Sequence, residues 1–261
     1  MEHEIREIGS YLETDADGFL INPASKDKIS NEWEPIIGDI VSAYLSNYGE
    51  KLHSVYVRGS VAKGQAVIGI SDLDTFSYVN LKEEKIDRNW MTNSENELLL
   101  KYPFAKGIEF GVDPVETAYN DRLFIMQSVC VYGDDLGKIL PRIKIGKELL
   151  GHVYSFSKNL ESFDKWLLEE HSSEDIKIYC VWLMKRVLRT GLELTIESHK
   201  QYTRDLYPSY KVFSKCFPEK DSEMKEVLYL AINPTDDLNT IIRIRNSIGK
   251  WIADRADKFK K

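Results

Sequence analysis

Residues 55–79 read Val-Tyr-Val-Arg-Gly-Ser-Val-Ala-Lys-Gly-Gln-Ala-Val-Ile-Gly-Ile-Ser-Asp-Leu-Asp-Thr-Phe-Ser-Tyr-Val. An apolar run ends in Gly59-Ser60, a short segment follows, and Asp72 and Asp74 open a second apolar run. Residues two apart on a strand project from the same face, so both carboxylates point one way and Leu73 turns into the core. Parallel carboxylates repel each other unless a cation lies between them. Hard divalent ions such as Mg²⁺ favour one or two carboxylates plus phosphate oxygens. Gly59-Ser60, at an expected strand-to-helix turn, offers backbone N–H groups and a hydroxyl to a phosphate. Metal chemistry at one end and phosphate chemistry at the other is the layout that a nucleotide-using enzyme needs.

Working outward, Trp33, Ile36, Ile37, Ile40, Val41, Tyr44 and Leu45 follow helical spacing, with Ser30 or Asn31 as a cap and Gly49 beyond the end. The pattern then predicts a strand over 52–58, a short helix over 60–66, a strand over 73–79, a polar loop over 80–94 and a helix over 95–101. Residues 106–112 alternate as a third strand should, with Glu109 near its middle. Asp113-Pro114 ends it, because proline cannot donate to the ladder. Residues 1–29 read as a lead-in with no site. Beyond Tyr119 the spacing predicts helices over about 120–132, 145–170, 174–190, 197–216 and 220–261, with a break near Asn233-Pro234. The expected class is α+β: a small mixed sheet with flanking helices over 1–140, followed by an all-α helical bundle over 141–261.

Composition narrows the function classes. The 261 residues are 43% hydrophobic, enough for a sizeable core. With 35 basic against 42 acidic residues the net charge is −7. That is a poor background for a general nucleic-acid binder and favours a cationic small molecule instead. Cys130, Cys180 and Cys216 show no disulfide framework or zinc spacing and are expected to be buried thiols. His3, His53, His152, His171 and His199 form no ligand cluster. The opening Met-Glu-His-Glu-Ile-Arg-Glu lacks the apolar segment of a signal peptide. No run approaches the ~18 apolar residues of a membrane span. A cytoplasmic location with no membrane partner is the expectation.

Gly59-Ser60, eleven residues, then Asp72-Leu73-Asp74 resembles the pattern of the polymerase-beta-like nucleotidyltransferases, whose third acid lies on a later strand. Glu109, in Gly-Ile-Glu-Phe-Gly-Val, matches that third acid best, and Asp113 and Glu116 are held in reserve. The whole-chain layout is similar to the aminoglycoside adenylyltransferases, in which a catalytic domain precedes a helical one. Val131-Tyr132-Gly133-Asp134-Asp135-Leu136 resembles a Tyr-Gly-Glu-x-Leu word of those enzymes. Arg189-Thr190-Gly191, with Thr203-Arg204-Asp205 further on, resembles a Thr-Gly and basic-Asp pair in their helical domain.

The resemblance implies transfer of AMP from ATP, or of another nucleoside monophosphate from its triphosphate, onto a hydroxyl of a small molecule, with release of pyrophosphate. The implied acceptor is an aminoglycoside-type antibiotic, which would make the chain a resistance enzyme. Asp72, Asp74 and Glu109 would hold two Mg²⁺ or Mn²⁺ ions, with Glu109 as ligand, proton acceptor or both. Gly59, Ser60, Arg58, Lys63 and Arg204 would bind the nucleotide, with Lys185, Arg186 and Arg189 as further cation candidates. The nucleotide is expected in a cleft between the two domains. Glu174 and Asp175 are candidates for the amino-sugar, and the positive end of a helix dipole also suffices to explain them.

Two other readings stay open. A phosphatase of the haloacid-dehalogenase type also uses Asp-x-Asp after a strand, with Asp134-Asp135 as its later acids. Against it, Phe76 stands where that pattern wants Thr or Val, and Gly59-Ser60 is left unexplained. A non-catalytic nucleotide-binding or antitoxin-like module would keep the site without turnover.

Overall fold

The computed structural model describes residues 3–259, which fall into two compact units, residues 13–143 and residues 3–12 with 144–259. The first contains α1 (Glu34–Tyr48), β1 (Leu52–Arg58), α2 (Gly59–Ala62), β2 (Leu73–Val79), α3 (Trp90–Lys101), β3 (Ile108–Glu109), β4 (Val112–Pro114), α4 (Arg122–Ile125) and β5 (Val129–Gly133). β1 lies between β2 and β5 and is antiparallel to both, while β3 and β4 run parallel to β2 on its far side. The sheet is mixed, as expected.

The two-residue period of β2 sorts its side chains. Leu73 and Val79 enter the larger core with Val55 and Val57 of β1 and with Ile36, Ile40 and Tyr44 of α1. Phe76 and Tyr78 enter a smaller cluster with Tyr56, Ile125 and Leu136 on the other face. Asp74 belongs to that second face by alternation. Leu73 is fully buried and contributes about 1.5–3 kcal/mol through the hydrophobic effect, which fixes the register of the acids on either side of it. The Tyr44 hydroxyl lies 3.1 Å from Thr75 Oγ1 and 3.2 Å from the Gly111 carbonyl, to one of which it donates, and it accepts from the Gly111 N–H (3.2 Å). Thr75 Oγ1 donates in turn to the carbonyl of Glu109 (2.7 Å). This buried network ties α1 to the backbone that carries Glu109. Tyr44→Phe should cost about 1–2 kcal/mol, read as a lower urea midpoint with unchanged slope, because Gly111 and Thr75 each lose one of their buried hydrogen bonds.

The other unit contains α5 (Gly151–Trp166), α6 (Ser173–Glu193), α7 (Ile196–His199), α8 (Leu206–Cys216), α9 (Asp221–Ile232), α10 (Leu238–Ile244) and α11 (Lys250–Phe259). Five residues in π-helical conformation, Arg245–Gly249, join the last two. α6 is central, burying Ile176, Cys180, Leu183, Met184, Val187 and Leu188 against α5, α8 and α9. No helix among the described residues is long and apolar enough to cross a membrane.

The structure corrects several sequence expectations. Residues 120–132 are not one helix: α4 is a single turn, and 129–133 form an edge strand paired with β1. The third strand is split into β3 and β4, with Gly111 donating to the Thr75 carbonyl between them (3.0 Å). The short helix after β1 ends at Ala62, and α3 starts at Trp90 instead of residue 95. The helix expected over 197–216 is broken by an extended segment between α7 and α8. Of the cysteines only Cys180 is buried, with Cys130 and Cys216 half-buried.

Candidate active site

β1 ends at Arg58, where the chain turns sharply into α2 through Gly59 at φ +74°. Pairing across the sheet then places Arg58 opposite Asp74, and Asp74 opposite Glu109. A cation and two carboxylates therefore stand in one row across three adjacent strands. The Arg58 guanidinium donates to Glu109 Oε2 at 2.8 Å and lies 3.7 Å from Asp74 Oδ1, with the Phe124 ring 5.8 Å from its Cζ. The Asp74 carboxylate lies against the Gly59 backbone: a Cβ at residue 59 would come within 2.6 Å of Asp74 Oδ2. Only glycine allows both the left-handed turn and that approach.

Asp72 precedes β2 and is exposed, its Cβ 3.8 Å from where a Cβ on Gly107 would be. The Leu73 N–H donates to the Gly107 carbonyl (2.9 Å), which holds the entry to β3 beside Asp72. Burial pushes the Asp74 carboxyl up to about 6, and its hydrogen bond with Glu109 and the charges of Asp72 and Glu109 push the same way, opposed by Arg58. Two carboxylates, Asp74 and Glu109, thus share a site that one guanidinium only partly neutralises, and the charge of Asp72 is felt at Asp74. Adjacent hard oxygen donors on Asp74 and Glu109 suit a divalent cation. Among the described residues, however, no group of three or more His, Cys, Asp or Glu side chains is arranged to hold a metal ion.

The other sequence candidates are placed as follows. Ser60 lies in α2, half-buried, directly after Gly59, and Lys63 caps the C-terminal end of that turn. Asp113 is paired with Tyr78 instead of an acid and lies 4.0 Å from Arg88. Glu116 is exposed on the turn Val115–Thr117. Asp135 is used as a cap, accepting from the Gly137 N–H (3.0 Å) and the Tyr56 hydroxyl (3.4 Å). Arg204, Lys185 and Arg189 belong to the helical unit and line one cavity there, whereas Arg186 stacks on Trp182 with its Cζ 3.8 Å from the ring. Asp175 closes a capping box with Ser172 at the start of α6, and Glu174 sits beside it in the same first turn.

Sequence reasoning missed Asp121 and Phe124. Both line a cavity of about 200 Å³ with Arg58, Phe76, Tyr78, Glu109 and Asp113. Tyr78 donates to Asp121 Oδ2 (3.3 Å), and burial raises the Asp121 carboxyl, helped by Asp113. The region was read as helix, so nothing in the spacing linked these residues to the sheet face.

No protein-family model matches the sequence, and no curated protein matches it. Among solved structures, the chain is similar to a spectinomycin adenyltransferase, AAD(9), from Enterococcus faecialis, solved with ATP and spectinomycin. Identity is 12%, the TM-score is 0.52, and the match covers 85% of this chain and 98% of that one. At that identity the likeness speaks for the fold, and it agrees with the architecture anticipated from Gly59-Ser60 and Asp72-Leu73-Asp74. The chain has the fold of an adenylyltransferase: a mixed sheet with flanking helices, and a helical part after it.

Proposed function

We propose that this chain is a metal-dependent nucleotidyltransferase that moves AMP from ATP onto a hydroxyl of a cationic small molecule of the aminoglycoside type and releases pyrophosphate. The observation that carries this reading is the row of Arg58, Asp74 and Glu109 beside the Gly59 turn. The shared fold adds support, since the adenyltransferase of that fold was solved with ATP and spectinomycin.

In this reading Asp74 and Glu109, with Asp72 as the further acid, would hold the divalent ions, Mg²⁺ or Mn²⁺. A bound divalent ion supplies neutralisation of phosphate charge and polarisation of the α-phosphoryl group. The rest falls to the chain's own residues. The Gly59 and Ser60 N–H groups and the Ser60 hydroxyl orient phosphate oxygens, and Lys63 adds positive charge. Arg58 releases Glu109 and turns to the phosphates, while Glu109 accepts the acceptor's hydroxyl proton.

The Arg58–Glu109 ion pair favours a second reading, a nucleotide-binding module without turnover, because the guanidinium sits where a cation would. One experiment separates the two. The chain is incubated with Mg²⁺ and each of the four triphosphates against a panel of aminoglycosides and lincosamides. Pyrophosphate release with a nucleotide-sized mass gain on an acceptor is expected. Tight ATP binding without either product across the panel would favour the module.

A further inference from the structure

β2 carries two hydroxyls where its periodicity calls for hydrocarbon. Leu73, Thr75, Ser77 and Val79 share one face, and Thr75 and Ser77 stand opposite Val57 and Val55 of β1. Leu73, Val55, Val57 and Val79 belong to the larger core, with Ile36, Ile40 and Tyr44 of α1. Thr75 is 2% exposed, and Ser77 is fully buried. A hydroxyl in such a place costs free energy unless it finds a partner, and valine has the same branched shape without that cost. The presence of threonine is explained by what its hydroxyl binds.

That partner is the backbone of the acid row. Thr75 Oγ1 donates to the Glu109 carbonyl at 2.7 Å, and the Tyr44 hydroxyl lies 3.1 Å from Thr75 Oγ1. The Gly111 N–H reaches both the Thr75 carbonyl (3.0 Å) and the Tyr44 hydroxyl (3.2 Å). These bonds fall where the ladder is weakest, because β3 has only two residues and stops at Glu109, and β4 begins at Val112. Phe110, in the gap, sets its ring against those of Tyr44 and Trp90, with centroids 5.3 and 5.1 Å away. The Glu109 side chain is 59% exposed and bonded to Arg58. Packing does little to fix that carboxylate, so its backbone decides where it can reach.

We infer that Thr75 is a positioning residue for Glu109: its buried hydroxyl, braced by Tyr44, holds the backbone of that acid in register with Asp74. The inference deepens the nucleotidyl-transfer reading and rests on it for the task of Glu109, whereas the hold on the backbone stands apart from it. Thr75 acts only through Glu109 and touches no substrate.

The test compares Thr75→Val, Thr75→Ser and Ser77→Ala in the full chain by two readouts. One is hydrogen–deuterium exchange over residues 108–112, and the other is pyrophosphate release from Mg-ATP with the aminoglycoside and lincosamide panel. Thr75→Val keeps the shape and loses the donor. Its exchange over 108–112 should rise about fivefold, the opening expected when one buried hydrogen bond is lost. Its kcat should fall about tenfold or more while KM for ATP changes less than about twofold, because a displaced carboxylate costs rate and not ground-state binding. On a Glu109→Gln background that fall should vanish. Thr75→Ser restores the donor and should recover most of both readouts. Ser77→Ala removes a hydroxyl of the same face whose bond to the Gly111 carbonyl is long (3.4 Å), and it should leave kcat within about twofold of the wild type. Unchanged exchange in Thr75→Val overturns the inference. So does a kcat that falls as far in Ser77→Ala, that falls undiminished on the Glu109→Gln background, or that holds while exchange rises. A wild type that releases no pyrophosphate across the panel loses the transferase reading, and a rise in exchange that Thr75→Ser reverses then retains the hold on Glu109.

Discussion

Asp74→Asn should abolish nucleotidyl transfer, by about 10³-fold or more, while making the metal-free protein more stable to heat at pH 8. The first effect follows from the place of Asp74 at the centre of the acid row, between Arg58 and Glu109. Such a loss corresponds to roughly 4 kcal/mol of transition-state stabilisation. The second follows from its titration. Burial and two neighbouring carboxylates raise Asp74 to about 6 in the folded chain, above the ordinary aspartate value of about 4. The folded state therefore binds this proton more tightly than the unfolded state. Ionisation costs nothing below the unfolded value, and its full cost is reached once the pH has risen through the folded value. Asparagine cannot ionise, so the variant should gain on the order of 2 kcal/mol at pH 8 and progressively less toward pH 4. Melts in EDTA across that window read the effect. Equal stability of the two proteins at pH 8, or retained transfer in the variant, would remove Asp74 from the role assigned to it.

Gly59→Ala carries the second large effect. A left-handed backbone costs a non-glycine residue about 1–2 kcal/mol, and the new Cβ would lie 2.6 Å from Asp74 Oδ2. The carboxylate has to move, and a displacement of about 1 Å near reacting groups is worth ~10² in rate. Transfer should fall at least that far, with ATP binding less affected. Combining the change with Asp74→Ala isolates the contact: the stability cost of Gly59→Ala should shrink to the backbone term alone in that background. An undiminished cost would place the clash elsewhere.

Much of the site was legible because its chemistry sits in short words. Gly59, Asp72 and Asp74 occupy one strand–turn–strand stretch, where a two-residue period is enough to say which way a side chain points. Glu109 was found by its place in an alternating segment, but its pairing with Asp74 depends on a parallel register that no local pattern encodes. Arg58 was read as a phosphate contact. Its ion pair with Glu109 spans three strands and emerges only when the sheet is assembled. β5 is hidden from the sequence because Leu123, Phe124, Ile125, Val129 and Val131 form a short apolar run, which periodicity alone cannot assign to helix or strand. Asn93, Ser94 and Asn96 mask the helical period around Trp90 and Met91, although both pack against the larger core. The N-terminal residues were the hardest to read. Their partners, Tyr202, Thr203, Asp205 and Asn233, lie some two hundred positions away in the chain.

The most direct test of the acid row is uptake of Mn²⁺, followed by electron paramagnetic resonance in the presence of ATP, for the wild type and for Asp74→Asn. The expected result is ATP-dependent uptake by the wild type that is lost in the variant. Uptake of the same size in both proteins, or none in the wild type, would contradict a divalent-ion site built on Asp72, Asp74 and Glu109.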